Sequence, residues 1–173
     1  WGIDVFRGNE YDVAMRAFNA SVRYGYESFA RICGDRPFID YSIYDELIQI
    51  HNDGIADITT NIFPRVVPRG LSAEIIRVKS LERLISLTIN KSDREHITKY
   101  FYAHFNKFKI QSVSHNNNFK KFIETNLTID EYKDLQKARW ILENHKKQKC
   151  NLVSESIIRM ADIWETRSKQ ITN

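Results

Sequence analysis

The strongest constraint on the fold is an alternation of two hydrophobic periods. Apolar runs of strand length recur between segments whose apolar residues repeat every three or four positions. That pattern predicts an α/β sandwich with a mainly parallel sheet. The strand-like runs are IDVF (3–6), SFARIC (28–33), ADITTN (56–61), SAEIIRV (72–78), KIQSV (109–113) and KFIETNLTI (121–129), the last two flanking a polar SHNNN turn.

The helical segments carry their own start and stop signals. Asn9 is expected to cap the first, with Asp12 at its third helical position; Val13, Ala14, Ala17, Phe18 and Val22 form its stripe and Gly25 ends it. Ser42 caps the second, in which Ile43, Leu47 and Ile50 share a face before Gly54. Ser80 caps a short helix through Leu81, Leu84 and Ile85, and Asp93 caps another. In the latter, Ile97, Phe101, Phe105 and Phe108 read as a core stripe. Asp130 begins the helix DEYKDLQKARWILENHKK. Val153, Ile157, Met160, Ala161 and Trp164 make a final amphipathic helix, packing either on the domain or on a second subunit. No internal repeat or linker interrupts the pattern.

Composition excludes several function classes. A chain of 173 residues with 42% hydrophobic, 28% charged and 12% aromatic residues has enough apolar material for a core, which argues against disorder. No apolar run approaches the length of a membrane span, and Asp4, Arg7 and Glu10 break up the start too early for a signal peptide. The net charge of +4 suits anionic ligands, yet much of it sits in HKKQK (145–149), which reads as a solvated helix end. Without an aromatic-basic platform, a nucleic-acid partner is not expected. Cys33 and Cys150 form no CxxC pair; Cys33 reads as a small core residue, and the compartment as a reducing cytoplasm. No Ser/His/Asp set, zinc spacing or P-loop is visible, and His51, His104, His115 and His145 receive no role.

Ligands of open α/β sheets bind beyond the carboxyl ends of the strands, and two aspartates fall at such ends. Asp35 follows SFARIC-G, and Asp130 follows NLTI directly before a helix. A phosphate-bound magnesium ion needs only one or two carboxylates, because phosphates and waters fill its other positions. Asp130 reads equally as a helix cap, and Asp35 before Arg36-Pro37 equally as a turn aspartate. Gly34 favours the ligand reading of Asp35, since a residue without Cβ permits close approach. Arg69 and Gly70, in PRG (68–70), could meet a phosphate or carboxylate; Glu95 and His96, in REHIT (94–98), could meet a sugar hydroxyl or simply pack.

Several blocks resemble one family in order and approximate spacing from residue 4 to about residue 143. DVFRGNEYDVAMRAFNASVRYG resembles the VFRGxEDDVLxRxxxAAxxYG stretch of the cytidylyltransferase-like proteins of spore-coat polysaccharide biosynthesis. RICGDRPFID is similar to their RITGDCPLIDP, PRGLSAEII to PxGLDVEVF, DREHITKYFY to EREHVTPYIY and LTIDEYKDL to LTVDTPEDL. The resemblance implies a three-layer nucleotide-diphospho-sugar transferase (GT-A-like) fold with a mixed, mainly parallel sheet, related to the CMP-sugar synthetases. It implies CTP-dependent activation of a sugar or sugar acid, with Mg2+, and leaves a homodimer open. Asp35 matches the metal-binding aspartate of GD and Asp130 the later aspartate of LTVD, the second metal ligand. Arg69, Gly70, Glu95 and His96 match a sugar-side region, and Gly34 and Arg36, flanking Asp35, are expected to contact substrate with them.

Departures are as informative as matches. Arg36 stands where the pattern has cysteine, Ser72 where it has aspartate, and Glu131-Tyr132 where it has Thr-Pro. The family's opening strand and its ARxGSxRLPGK phosphate loop have no counterpart here, and Trp1 is not an initiator methionine. The expectation is therefore a C-terminal part of a longer protein: residues 1–150 from a nucleotidyltransferase-like domain lacking its first βαβ unit, and 151–173 as a terminal helix. Such a part alone is expected to be inactive. The alternative is a non-catalytic sugar-nucleotide-binding or assembly module of the same fold.

Overall fold

The fold is described for residues 2–114, 117–148 and 153–171 of a computed structural model, so His115 and Cys150 lie outside the described residues. Two compact units interleave along the chain. The first comprises Trp1–Arg31, Leu47–Thr60 and Glu74–Gln111; the second comprises Ile32–Glu46, Asn61–Ala73 and Ser112–Asn173.

The first unit is built on a sheet of β1 (Ser28–Ala30), β2 (Ile58–Thr60), β3 (Glu74–Arg77) and β4 (Ile110–Ser112) in the order β1-β3-β2-β4. Around it lie α1 (Val13–Tyr24), the later turns of α2 (Tyr41–Asp53), α3 (Val78–Leu87), α4 (Lys91–Glu95) and α5 (Ile97–Ala103). Phe29 and Ile58 both pair with Ile76, from opposite sides of β3. The α/β class and mixed open sheet follow the expectation, but both ladders on β3 are antiparallel rather than parallel. The connections explain this. Helix α2 is a crossover that leaves β1 and β2 parallel to each other, whereas the helix-free chain after β2 returns β3 between them in the opposite sense.

Strand lengths and caps differ from the sequence reading for local reasons. IDVF forms no strand; Ile3 and Val5 are 76% and 68% exposed. SFARIC keeps only three strand residues, because the antiparallel register runs from Ser28 opposite Arg77 to Ala30 opposite Ile75, and beyond it β3 offers only Glu74, whose carbonyl accepts Arg31 N–H at 2.9 Å. Ile32 is therefore exposed and Cys33 half-buried in the turn beyond, not in the core. Asp12, not Asn9, caps α1 by accepting Met15 N–H at 2.9 Å, while Asn9 Oδ1 accepts from Tyr11 and Asp12 N–H at 2.8 and 3.0 Å in the turn before it. Asp40 accepts Ser42 N–H at the start of α2, and Asn90 caps α4 by accepting Ser92 N–H. Asp93 instead accepts the Thr88 hydroxyl, and the Ser80 hydroxyl donates to Asp57. Gly25 ends α1 at φ 71°, as its position predicts. Ile97, Phe101 and Phe108 are buried as the stripe predicts, but α5 ends at Ala103 and Phe105 turns out to 65% exposure.

Polar groups are buried at the centre of this unit, each with a partner. Glu74, fully buried, pairs with Arg31 at 2.9 Å and accepts the Tyr102 hydroxyl at 2.6 Å. Burial, and then the Glu74 charge, raise the Tyr102 pKa, so this hydroxyl keeps its proton as a donor. His51 is likewise fully buried, with Nε2 3.0 Å from Ser28 Oγ and Nδ1 2.8 Å from Thr59 Oγ1.

The second unit packs α6 (Tyr132–Gln148) against α7 (Ser154–Ile171), with Trp140 and Trp164 rings 5.6 Å apart. Ile141, Ile157, Ile158 and Ala161 are buried there, so the terminal helix packs within its own unit. Asp40 ties the unit together: it accepts the Ser154 hydroxyl at the start of α7 while holding Ser42. Burial would raise its pKa, but the hydrogen bonds from Ser154 and Ser42 outweigh it and hold the carboxyl below its usual value. KFIETNLTI is not a strand. Residues Asn117–Phe122 form a 3-10 helix, and only Asn126 bridges, in parallel, to Arg69. Gly70 lies beside that bridge at φ 99°, and a Cβ there would meet Leu127 Cβ and C at 2.7 and 2.8 Å.

Two outcomes follow. Gly70→Ala is expected to lose about 2–4 kcal/mol, from left-handed strain and the clash with Leu127 backbone, measured as a lower urea midpoint; an unchanged midpoint would contradict the packing described. Burial, then the Arg77 charge, depress the His51 pKa from 6.5 to about 4. The unfolded chain therefore binds the proton more readily, and stability present above pH ~6.5 is lost as pH falls toward ~4, by up to about 1.4 kcal/mol per pH unit. Urea midpoints measured from pH 7 to 5 should fall less steeply in His51→Gln than in the native chain; parallel slopes would refute this role.

Candidate functional site

Immediately beyond the β1 region, the chain reverses through a turn in which Arg36 N–H donates to Cys33 C=O at 3.3 Å, leaving Gly34 and Asp35 at its tip. A Cβ at Gly34 would meet nothing within 4 Å, so space is open beside it. The Asp35 carbonyl accepts Ile129 N–H at 2.9 Å, which holds this turn against the segment leading into Asp130. The two aspartates singled out by sequence therefore sit on backbone segments hydrogen-bonded to each other within the second unit.

Their side chains differ. Asp35 Oδ1 is buried and has no hydrogen-bond partner among the described residues. A turn aspartate would normally bond its own backbone, so the plain turn reading does not describe it. Leaving a buried acceptor unsatisfied costs about 1–3 kcal/mol, and more for a charged group. A divalent cation is the ligand that an orphaned carboxylate oxygen fits best. Asp130 is exposed, with Oδ2 2.7 Å from the Thr128 hydroxyl, which is equally close to Asn126 Oδ1 and has one proton to give. Nor is Asp130 the helix cap. Asp134 Oδ2 accepts the N–H groups of both Asp130 and Glu131, at 3.2 and 3.1 Å, which leaves the Asp130 carboxylate outside the capping interaction. Among the described residues no cluster of three or more His, Cys, Asp or Glu could enclose a metal. Asp35 and Asp130 offer at most two carboxylates, the number that could hold a magnesium ion whose other positions are filled by phosphate and water.

The loop 68–73 is fixed from several sides. Leu127 N–H donates to Arg69 C=O at 2.9 Å, and Leu71 N–H donates to Pro68 C=O at 3.2 Å. Buried Asn61 donates to Leu71 C=O at 3.1 Å and accepts Ala73 N–H at 2.9 Å. Ser72 C=O accepts from Tyr44 Oη at 3.1 Å and from Arg36 Nη1 at 2.8 Å, while Arg65 Nη1 donates to Ser72 Oγ at 3.1 Å. Arg69 projects into solvent, and Gly70 is glycine because Leu127 leaves no room. Asn61, Arg65 and Tyr44 escaped the sequence reading. Their only signal is the polar residue closing an apolar strand, and a loop whose buried carbonyls must find donors.

Glu95 and His96 belong to the first unit, so sequence candidates fall in two units rather than one. Both are exposed, at the junction of α4 and α5. Glu95 lines a cavity of about 550 Å³ with Asn9, Tyr11, Asp12, Ile89, Lys91 and Arg94. Arg94 pairs with Asp12 at 3.1 Å across it and also holds Thr88 and Ile85 carbonyls at 3.0 Å. No helix among the described residues is long and apolar enough to cross a membrane.

Comparisons with known proteins bear on this arrangement. No protein-family model matches the chain. Over 99% of its length it is 34% identical to uncharacterized protein MJ1063 of Methanocaldococcus jannaschii, of which it spans 67%. Over 80% of its length it is 28% identical to the spore coat polysaccharide biosynthesis protein SpsF of Bacillus subtilis, of which it spans 56%. Its fold superposes on a cytidylyltransferase from Leptospira borgpetersenii with a TM-score of 0.76 and 28% identity, covering 99% of this chain and 70% of that one.

Proposed function

This chain belongs to the cytidylyltransferase-like family of spore-coat polysaccharide biosynthesis proteins, and from that premise we propose that the protein carrying it is a magnesium-dependent nucleotidyltransferase. Its reaction joins the CMP portion of CTP to a sugar or sugar acid, in the cytoplasm, for cell-surface polysaccharide. A sugar oxygen bonds to the α-phosphorus, the bond to the β-phosphate oxygen breaks, and pyrophosphate leaves. Bound magnesium would offset charge on the phosphates.

The observation carrying this reading is Asp35 Oδ1, buried without a partner on a turn that Ile129 holds beside Asp130. Asp35 and Asp130 would hold the ion. Gly34 leaves room for a phosphate to approach, exposed Arg69 supplies a cation toward it, and half-buried Arg36 supplies a second cation on the sugar side. None of these groups needs to form a covalent intermediate; the protein positions two reactants and offsets charge. Because the chain spans 56–70% of its relatives and structural neighbour, activity is assigned to the whole protein, and the 173 residues alone are expected to be inactive.

Incubating the whole protein with CTP, magnesium and a panel of sugar acids and neutral sugars should release pyrophosphate with at least one acceptor. Asp35→Asn should cut the rate by about a hundredfold or more, as loss of a group stabilising phosphate charge does. No release across the panel, with nucleotide binding intact, would favour the binding-module alternative. Native rates in Asp35→Asn would refute the site.

A further inference from the structure

Two departures from the family pattern meet in space. Arg36, in place of cysteine, donates through Nη1 at 2.8 Å to the carbonyl of Ser72, which stands in place of aspartate. Arg65 Nη1 lies 3.1 Å from the Ser72 hydroxyl, on the same residue. One acid is absent and one cation added at a single point, so the neighbourhood is two charges more positive than the pattern.

We infer that Arg36 is a specificity-determining residue that takes an anionic oxygen group of the sugar substrate, a carboxylate or a phosphate, and that serine at 72 is what keeps its charge available. An aspartate at 72 would put its carboxylate where Arg65 now meets the Ser72 hydroxyl, on the residue whose carbonyl holds Arg36, and would offset the charge of both cations. A serine hydroxyl does not. Arg36 spends one N–H on Ser72, and its guanidinium has no further partner among the described residues. A guanidinium carries five N–H donors in a planar fork, so the remaining ones can grip an anion with two oxygens. Partial burial reduces the screening of its charge. The Ser72 carbonyl is itself held at 3.1 Å by the buried Tyr44 hydroxyl, so the fork rests on a fixed support. Arg36 follows Asp35 directly, and so the anion would lie beside the proposed metal ligand.

This inference rests on the site assigned above but not on its reaction, and it is tested without nucleotide. Thermal unfolding of the whole protein is followed with sodium phosphate or sodium acetate, against sodium chloride at equal ionic strength, with and without magnesium. Phosphate or acetate should raise the midpoint saturably in the native protein. In Arg36→Cys and Ser72→Asp, the concentration needed should rise about tenfold or more, each measured against its own baseline. Arg36→Lys keeps the charge without the fork and should bind more weakly than the native protein, which preserves the test where a more drastic variant fails to fold. A response to acetate alone identifies a sugar acid. A response to phosphate alone identifies a phosphorylated sugar if a hexose phosphate shifts the midpoint at lower concentration than inorganic phosphate. Otherwise it assigns Arg36 to the nucleotide's phosphates and overturns the inference. No anion-specific shift in the native protein, or one unchanged in the variants, overturns the inference. Anion binding at Arg36 without pyrophosphate release would retain it and remove the nucleotidyltransfer reading instead.

Discussion

The close approach of Gly70 to Leu127 decides where the candidate site can form. A side chain at 70 would collide with the Leu127 backbone, and only without one can the Arg69 carbonyl receive the Leu127 N–H at 2.9 Å. That contact sets the path of residues 126–129, and two residues further on the Ile129 N–H reaches the Asp35 carbonyl. Asp130 follows at once. The chain of dependence therefore runs from one missing Cβ, through two backbone hydrogen bonds, to the juxtaposition of the two aspartate-bearing segments.

Buried polarity is treated differently in the two units. In the first, Glu74, Tyr102, Thr60 and Arg31 satisfy one another, and His51 sits neutral between two hydroxyls. Those groups are bonded to one another, and they serve to specify the packing. In the second, Ser72, Asn61 and Asp40 are comparably saturated, but the Asp35 carboxylate is left with an orphaned oxygen. Unsatisfied buried acceptors are rare enough in folded proteins that each asks for a cause, and the magnesium ion proposed above would supply one.

Much of the fold was legible because hydrophobic period survives as packing. Helices centred on Val13–Tyr24, Tyr132–Gln148 and Ser154–Ile171, and short strands within ADITTN and SAEIIRV, stand where their patterns put them. Failures have a common origin in long-range pairing. IDVF and KFIETNLTI have strand composition but lack a ladder partner among the described residues, and strand composition alone does not make a strand. Caps were misplaced where two capping residues lie close together, as with Asn9 and Asp12, since only packing chooses between equal competitors. The sequence reading put Asp35 and Asp130 at strand ends, but 121–129 forms no strand, and the two segments meet instead through the Ile129 N–H to Asp35 carbonyl bond. The support beneath it, from Asn61, Arg65 and Tyr44 to the 68–73 loop, was not legible, because a hydrogen bond spanning 7 to 28 residues leaves no local mark. The sequence also pooled Glu95 and His96 with the other candidates, whereas they belong to a different compact unit.

The central claim is that the orphaned Asp35 oxygen is a metal ligand. Crystals of the whole protein grown with CTP and manganese in place of magnesium, with data collected at the manganese edge, test it directly. An anomalous peak about 2.1–2.3 Å from Asp35 Oδ1, with the Asp130 carboxylate turned toward it, is the predicted result. A peak elsewhere, or an Asp35 Oδ1 satisfied by a protein N–H in the nucleotide-bound protein, would contradict the account.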